Sequence, residues 1–272
     1  MRVLNRFIKY YKHTAGVTNR WLYTSQLRST SKLTLPDFLG IGAQKSGTSW
    51  LAKNLRYHSQ VFVSEEKELH YFDRNYHRSL SHYGNHFLSG RDQTKGEITP
   101  AYAILEPKMI RFIHAVMPDL RLIYLIRNPI DRAWSQAYMN LVSLPGRPYD
   151  DVKQSEFIAH FHSPRSTLRG DYRRCVDNWL DCFSEEQLLI EFFEDIACQP
   201  KQLLERVFHH LHVEPPQDWS AFPFNEKVFA GNPRPMPEKF RAILEDMYAE
   251  EIGALELRFG KKVSNWRVSN NS

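Results

Sequence analysis

A mixed α/β domain, with a mostly parallel sheet held between two layers of helix, is the fold that this 272-residue sequence predicts. Three observations carry it. From residue 37 onward, short apolar runs alternate with longer amphipathic segments. A glycine-bearing turn closes the first run and opens a helix, where an anion is readily held in such sheets. The chain is 42% hydrophobic and 25% charged, and its length allows one substantial core without signs of disorder.

The elements follow in order. "DFLGIG" (37–42) is the first strand, and "SGTSWLAKNLRYH" after it is a helix with Trp50, Leu51 and Leu55 on one side. "KGEITPAYA" (95–103) is a short strand stopped at Pro100, and "PKMIRFIHAVM" (107–117) a helix ended by Pro118. "RLIYLIR" (121–127) is a second buried strand, after which Pro129 starts the helix "IDRAWSQAYMNLV". Residues 143–166 are polar and proline-bearing and read as a long surface excursion. A helix over 171–183, a strand over 187–193 and a helix over 200–211 follow. A proline-rich loop spans 213–237, and the last helix runs from about Glu238 to Phe259. No repeat and no linker divides residues 37–272, which read as one domain behind a separate arm of residues 1–36.

That arm holds the charge. Residues 1–36 carry seven cations and no acid, so the net +5 of the chain leaves −2 for the remainder. The pI near 9 therefore belongs to the arm and gives no argument for a nucleic-acid partner. Val3, Leu4, Phe7, Ile8 and Tyr11 share a helical face, with Arg2, Arg6, Lys9 and Lys12 mostly elsewhere. A helix docked on the core, a peripheral membrane contact through residues 1–12 and an organelle transit peptide are all open readings of it. No apolar run has the length of a membrane span and no signal-peptide core is seen, so the expected location is cytoplasmic. Three cysteines make no disulfide framework, and Cys175 and Cys182 stand about 10 Å apart along one helix. His209, His210 and His212 cluster without a metal-binding spacing and read as a solvated helix end.

The chemistry is concentrated in two loops. "GIGAQKSGTSW" looks like a nucleotide phosphate loop, but a loop for ATP places lysine directly after its second glycine. Here that position is Thr48, and Lys45 comes two residues before Gly47. The turn amides, with the Thr48 and Ser49 hydroxyls, make an anion site. In "LIYLIRNPIDRAWSQ", Arg127 ends a strand and Ser135 lies about two turns into the next helix. A guanidinium and a hydroxyl there suit a second, separate phosphate.

Together "GAQKSGTSW" and "RNPIDRAWS" resemble the 5′-phosphosulfate loop and the 3′-phosphate site of sulfotransferases that use 3′-phosphoadenosine 5′-phosphosulfate (PAPS). "EKELHYFD" (66–73), "EITPAYA" (97–103), "RGDYRRCVDNWLDCF" and "QLLIEFFEDI" keep the order and spacing of the heparan-sulfate branch, over about residues 37–260. The resemblance implies a P-loop-like three-layer fold, with PAPS as co-substrate, its bisphosphate (PAP) as product and no metal. It places Lys45, Ser46, Gly47, Thr48, Ser49 and Trp50 at the 5′ end of the donor, and Arg127 and Ser135 at the 3′-phosphate. Tyr172 either joins that site or packs in the core. Arg234 stands in for part of a Lys-Gly-Arg in a late loop that covers the nucleotide, where this chain offers Gly231, Asn232 and Arg234.

Lys45 would meet the charge that grows on the bridging oxygen as the sulfuryl group leaves. The acceptor, a hydroxyl on a carbohydrate or related metabolite, must lose a proton. By resemblance Glu68 is that base, kept ionised by Lys67 and Lys45, with His70 and Asp73 orienting the acceptor or tuning Glu68. His70 itself and Glu97 are the competing bases. Ile98 stands where the family usually has a lysine, which removes one cationic contact to the acceptor. A P-loop kinase or NTPase and a non-catalytic nucleotide-binding module are the alternatives to a sulfotransferase.

Overall fold

Every residue from Leu122 to Ile126 is buried, so the strand β4 (Arg121–Ile126) needs cover on both faces. It receives it in a computed structural model of the chain, in which the described residues are Thr18, Tyr23, 29–226 and 234–267. Leu122, Tyr124 and Ile126 face one apolar cluster with Ile110, Ala133, Trp179 and Leu244. Ile123 and Leu125 face a second with Trp50, Leu51, Leu204 and Phe208. Alternation along one strand thus feeds two cores, which is the physical basis of the three layers.

The sheet holds β1 (Phe38–Gly42), β2 (Val61–Val63), β3 (Thr94–Ile98), β4 and β5 (Leu188–Phe192), all parallel, in the order β2-β3-β1-β4-β5. From β1 the chain runs to the edge strand β2, returns to β3 beside β1, and then crosses to β4 and β5 on the other side. The crevice beyond the carboxyl ends of β1, β3 and β4 is therefore the place for a ligand. Helices Pro107–Val116, Pro129–Tyr138 and Pro200–His210 each begin on proline, whose fixed φ and missing N–H suit a first helical position. The final helix is Glu238–Phe259, as expected.

Some expectations need correction. Residues 143–153 are mostly exposed, as expected, but the excursion stops there: the helices Gln154–Phe161 and Pro164–Gly170 follow. Phe157 and Phe161, one turn apart and both buried, pack their rings against Phe240, and Phe157 also meets Trp134. The apolar (i, i+4) pair outweighs the flanking prolines. β2, at three residues, is too short to register as a periodic pattern.

His210 does not belong to a solvated helix end. It packs under β4, its Nε2 donates to the Leu122 carbonyl at 3.0 Å, and burial pushes its imidazole down to about 4. Among the described residues no group of three His, Cys, Asp or Glu is arranged to hold a metal, and no helix is long and apolar enough to cross a membrane. The expected arm helix (1–12) and the Gly231 and Asn232 positions lie outside the described residues. Leu33 and Leu35 pack on the larger core, so the ordered domain reaches slightly into the expected arm.

Candidate active site

The turn after β1 is shaped by two left-handed residues, Lys45 (φ 73°) and Gly47 (φ 86°). At Gly47 the conformation and the space both call for glycine: a Cβ there would sit 2.2 Å from Ile196 Cδ1. The helix Thr48–Leu55 then starts without a side-chain cap, leaving its first-turn amides for a ligand. Thr48 is buried, and the buried Ser46 hydroxyl makes no hydrogen bond of ordinary geometry although the Tyr172 phenol lies close by.

Lys45 is half-buried, and its ammonium has Met139 Sδ at 3.8 Å as a neighbour. Burial pulls its pKa down, and the nearby charges of Arg127 and Lys67 pull the same way. Three cations near one another with little water between them form a built site for an anion.

Arg127 follows β4. Its Nη1 donates to the Lys45 carbonyl at 3.3 Å and its guanidinium lies 4.4 Å over the Phe193 ring, while its buried Nε has no partner. Asn128 caps the next helix by accepting from the Ile130 amide at 3.0 Å, and Pro129 begins it. Ser135 lies half-buried on that helix. Tyr172 is fully buried, and its hydroxyl donates to the Arg127 carbonyl at 2.8 Å. The two phosphate loops are therefore one assembly, with Tyr172 as a backbone brace.

A second brace was not foreseen. Arg132 is fully buried, with only neutral acceptors: Gln136 Oε1 at 2.9 Å, the Ser166 carbonyl at 3.0 Å and the Tyr248 hydroxyl at 3.3 Å. Gln136 passes the contact to Gln44 of the phosphate loop at 2.9 Å. The motif "RNPIDRAWS" contained Arg132, but only its burial reveals this use.

The acceptor side is built from residues 66–73. Glu68 and His70 both have positive φ, 56° and 50°. His70 stands between two carboxylates, with Nε2 3.4 Å from Glu68 and Nδ1 2.9 Å from Asp73. The Asp73 contact first, then the Glu68 contact, raise its pKa to about 9. At neutral pH it is an imidazolium with no lone pair to accept a proton. Glu68 is held below the ordinary carboxylate value, first by His70 and then by Lys67 at 3.7 Å. The expected help from Lys45 is not among the causes; His70 supplies it instead.

The His70 pKa rises from 6.5 to about 9 on folding, so its stabilising contribution is present below pH 6.5 and lost as pH rises through about 9. The expected observation is a His70 imidazole proton resonance that titrates near 9. A midpoint near 6.5 would mean that no clamp joins it to Glu68 and Asp73.

Three other expected side chains are engaged by the protein itself. Glu97 is fully buried and accepts from four donors, with no exposed lone pair for a substrate. Trp50 lies in the smaller core, where its Nε1 donates to the Phe224 carbonyl at 2.9 Å. Arg234 pairs with Asp150 at 3.1 Å and lies over the Tyr149 ring. Ile98 is also buried in the smaller core, on the face of β3 away from Glu97. Its side chain does not line the acceptor crevice.

Comparison with known proteins agrees with this architecture. Residues 35–227 match the family described as sulfotransferase domain. The mouse (Mus musculus) heparan sulfate glucosamine 3-O-sulfotransferase 6 is 33% identical over 175 residues, covering 63% of this chain and 51% of the relative. The membrane-associated sulfotransferase kil1 of Dictyostelium discoideum is 34% identical over 113 residues, covering 40% of this chain and 24% of the relative. The chain spans about half the length of the 3-O-sulfotransferase relatives it matches. Among solved structures, a sulfotransferase from Alicyclobacillus acidocaldarius superposes with TM-score 0.66 at 25% identity, covering 86% of this chain and 99% of the other. Mouse SULT7A1 complexed with PAP shares the fold, with TM-score 0.52 at 15% identity over 85% and 95% of the two chains. With the turn that carries Lys45 held against Arg127 and a family match over most of its length, the chain belongs to the sulfotransferase family.

Proposed function

We propose that this chain transfers a sulfuryl group from PAPS to a hydroxyl of a carbohydrate-type acceptor. The observation that carries the reading is the Arg127–Lys45 contact, which makes the two anion cradles one site. The residues fit such a donor: a buried Arg127 Nε without a partner, a lysine set among cations, and first-turn amides without a side-chain cap. Bound there, PAPS supplies an activated sulfuryl group on a phosphate leaving group. Ser46, Gly47, Thr48 and Ser49 would hold its 5′ end, and Arg127 with Ser135 its 3′-phosphate.

Lys45 then stabilises the negative charge that develops as the bridging S–O bond breaks. Glu68 takes the hydroxyl proton as the acceptor oxygen forms its bond to sulfur. His70 and Asp73 keep Glu68 ionised and oriented for that step. For the acceptor, several relatives are named for heparan sulfate glucosamine. The basic segment Arg74, Arg78, His82 and His86 beside Glu68 supports an anionic glycan here as well.

Thermal unfolding with ligand tests the donor. PAP at a hundred times its Kd is expected to stabilise the protein by about 2.7 kcal/mol, a rise of roughly 5–10 °C in Tm. ATP with magnesium should give no comparable shift; the reverse pattern would point to an NTPase. Radiolabelled sulfate transfer to a glycan panel then separates an enzyme from a module that only binds nucleotide.

A further inference from the structure

Glu97 is wholly buried, and all of its acceptor capacity is used. Oε1 accepts from the Tyr83 hydroxyl at 2.8 Å and the Tyr102 hydroxyl at 2.9 Å. Oε2 accepts from the Thr99 hydroxyl at 2.6 Å and the Leu69 amide at 3.3 Å. An ionised carboxylate offers about four lone-pair directions, and these four donors match that form. Burial pushes Glu97 above the usual carboxylate range, and the donors oppose that push.

Two of its contacts lead to the segment that bears the proposed base. Leu69 lies between Glu68 and His70, both in the left-handed region that side chains with a Cβ avoid. Glu97 grips the Leu69 amide directly. Tyr102, while donating to Glu97, accepts from the Tyr71 amide at 2.9 Å. Asn75 holds the Leu69 carbonyl at 3.1 Å. The strained turn is thus fastened on either side of His70, and both fastenings end on one carboxylate.

We propose that Glu97 is a positioning residue for sulfuryl transfer: through Leu69 and Tyr102 it holds the backbone of residues 68–71 so that the Glu68 carboxylate meets the acceptor hydroxyl. The proposal rests on Glu68 being the base. It explains why a fully hydrogen-bonded acid lies beneath the cleft, on the end of β3, without facing substrate. It also assigns a task to Tyr83, Thr99 and Tyr102, which no step of the transfer itself uses.

The test compares Glu97→Gln, Tyr102→Phe, their combination and Glu68→Gln in the full chain. Glutamine keeps the volume but turns an NH2 toward two donors. Glu97→Gln is expected to lower kcat about 10²-fold, the scale of a misplacement near 1 Å, with PAP affinity and acceptor KM within about threefold. Amide hydrogen exchange at Leu69 and Tyr71 should speed up, a change that a general loss of activity would not localise. Tyr102→Phe should cost roughly tenfold and free the Tyr71 amide alone. The double variant should be no worse than Glu97→Gln by more than about threefold, because both act through one turn.

Wild-type kcat and unchanged exchange in Glu97→Gln, beside an inactive Glu68→Gln, overturn the positioning role and leave the base in place. An active Glu68→Gln overturns the base and the proposal with it. Where Glu97→Gln fails to fold, Tyr102→Phe decides: slower turnover with a freed Tyr71 amide supports the proposal, and wild-type behaviour overturns it.

Discussion

Lys45→Ala is expected to reduce sulfuryl transfer by at least about 10³-fold in kcat, the upper range for losing one group that meets transition-state charge. The geometry makes the loss severe. The Lys45 ammonium is withdrawn from water and set near Arg127 and Lys67, in a site whose positive charge awaits an anion. Charge that grows on the leaving oxygen is stabilised more strongly there than in bulk solvent. Backbone damage is not expected to confuse the result. Lys45 sits at φ 73°, a conformation that costs alanine about as much as lysine. Single-turnover rates at saturating PAPS check the prediction, with PAP binding measured by calorimetry on the same variant. A kcat within threefold of wild type would place the leaving-group contact on another residue.

Glu68→Gln is expected to lower kcat by about 10²–10⁴-fold, the range for removing a general base, with little change in PAP affinity. Glutamine preserves the shape but cannot accept the hydroxyl proton. The competing bases are unsuited where they stand: His70 is protonated below about pH 9, and the lone pairs of Glu97 are all occupied. Because His70 and Lys67 depress the Glu68 pKa, its ionised form persists above an unusually low pH and is lost as pH falls through that value. The acid limb of the wild-type kcat profile should therefore lie below the ordinary carboxylate value of 4.5, and it should vanish in Glu68→Gln. A variant that keeps both its turnover and its acid limb would remove Glu68 from the role.

Much of this was readable because glycine, lysine and proline in these loops obey backbone rules. Gly47 next to Thr48 marks the start of a helix over an anion site, and Arg127-Asn-Pro marks the end of a strand and the start of a helix. Those requirements are local, so a single sequence shows them. Burial is not local. Glu97 and Ile98 are neighbours on β3, and nothing in the string says that one faces Tyr83 and Tyr102 while the other faces the smaller core. Trp50 read as a donor contact because it follows the loop, but its indole turns to Phe224, 174 residues away. Arg132 and Phe193 escaped notice for the same reason: each acts through partners distant in sequence.

Phe193 has a wider meaning. Its ring lies under the Arg127 guanidinium, and with Ile196 it fills the space beneath Gly47. Both jaws of the donor site thus rest on one short helix, Phe193–Cys198, that leaves the edge of the sheet. Under the proposed function this shared footing sets the spacing of the two cradles like a caliper, so slack at one jaw is not taken up at the other. Selectivity for a doubly phosphorylated nucleotide would then rest on that spacing.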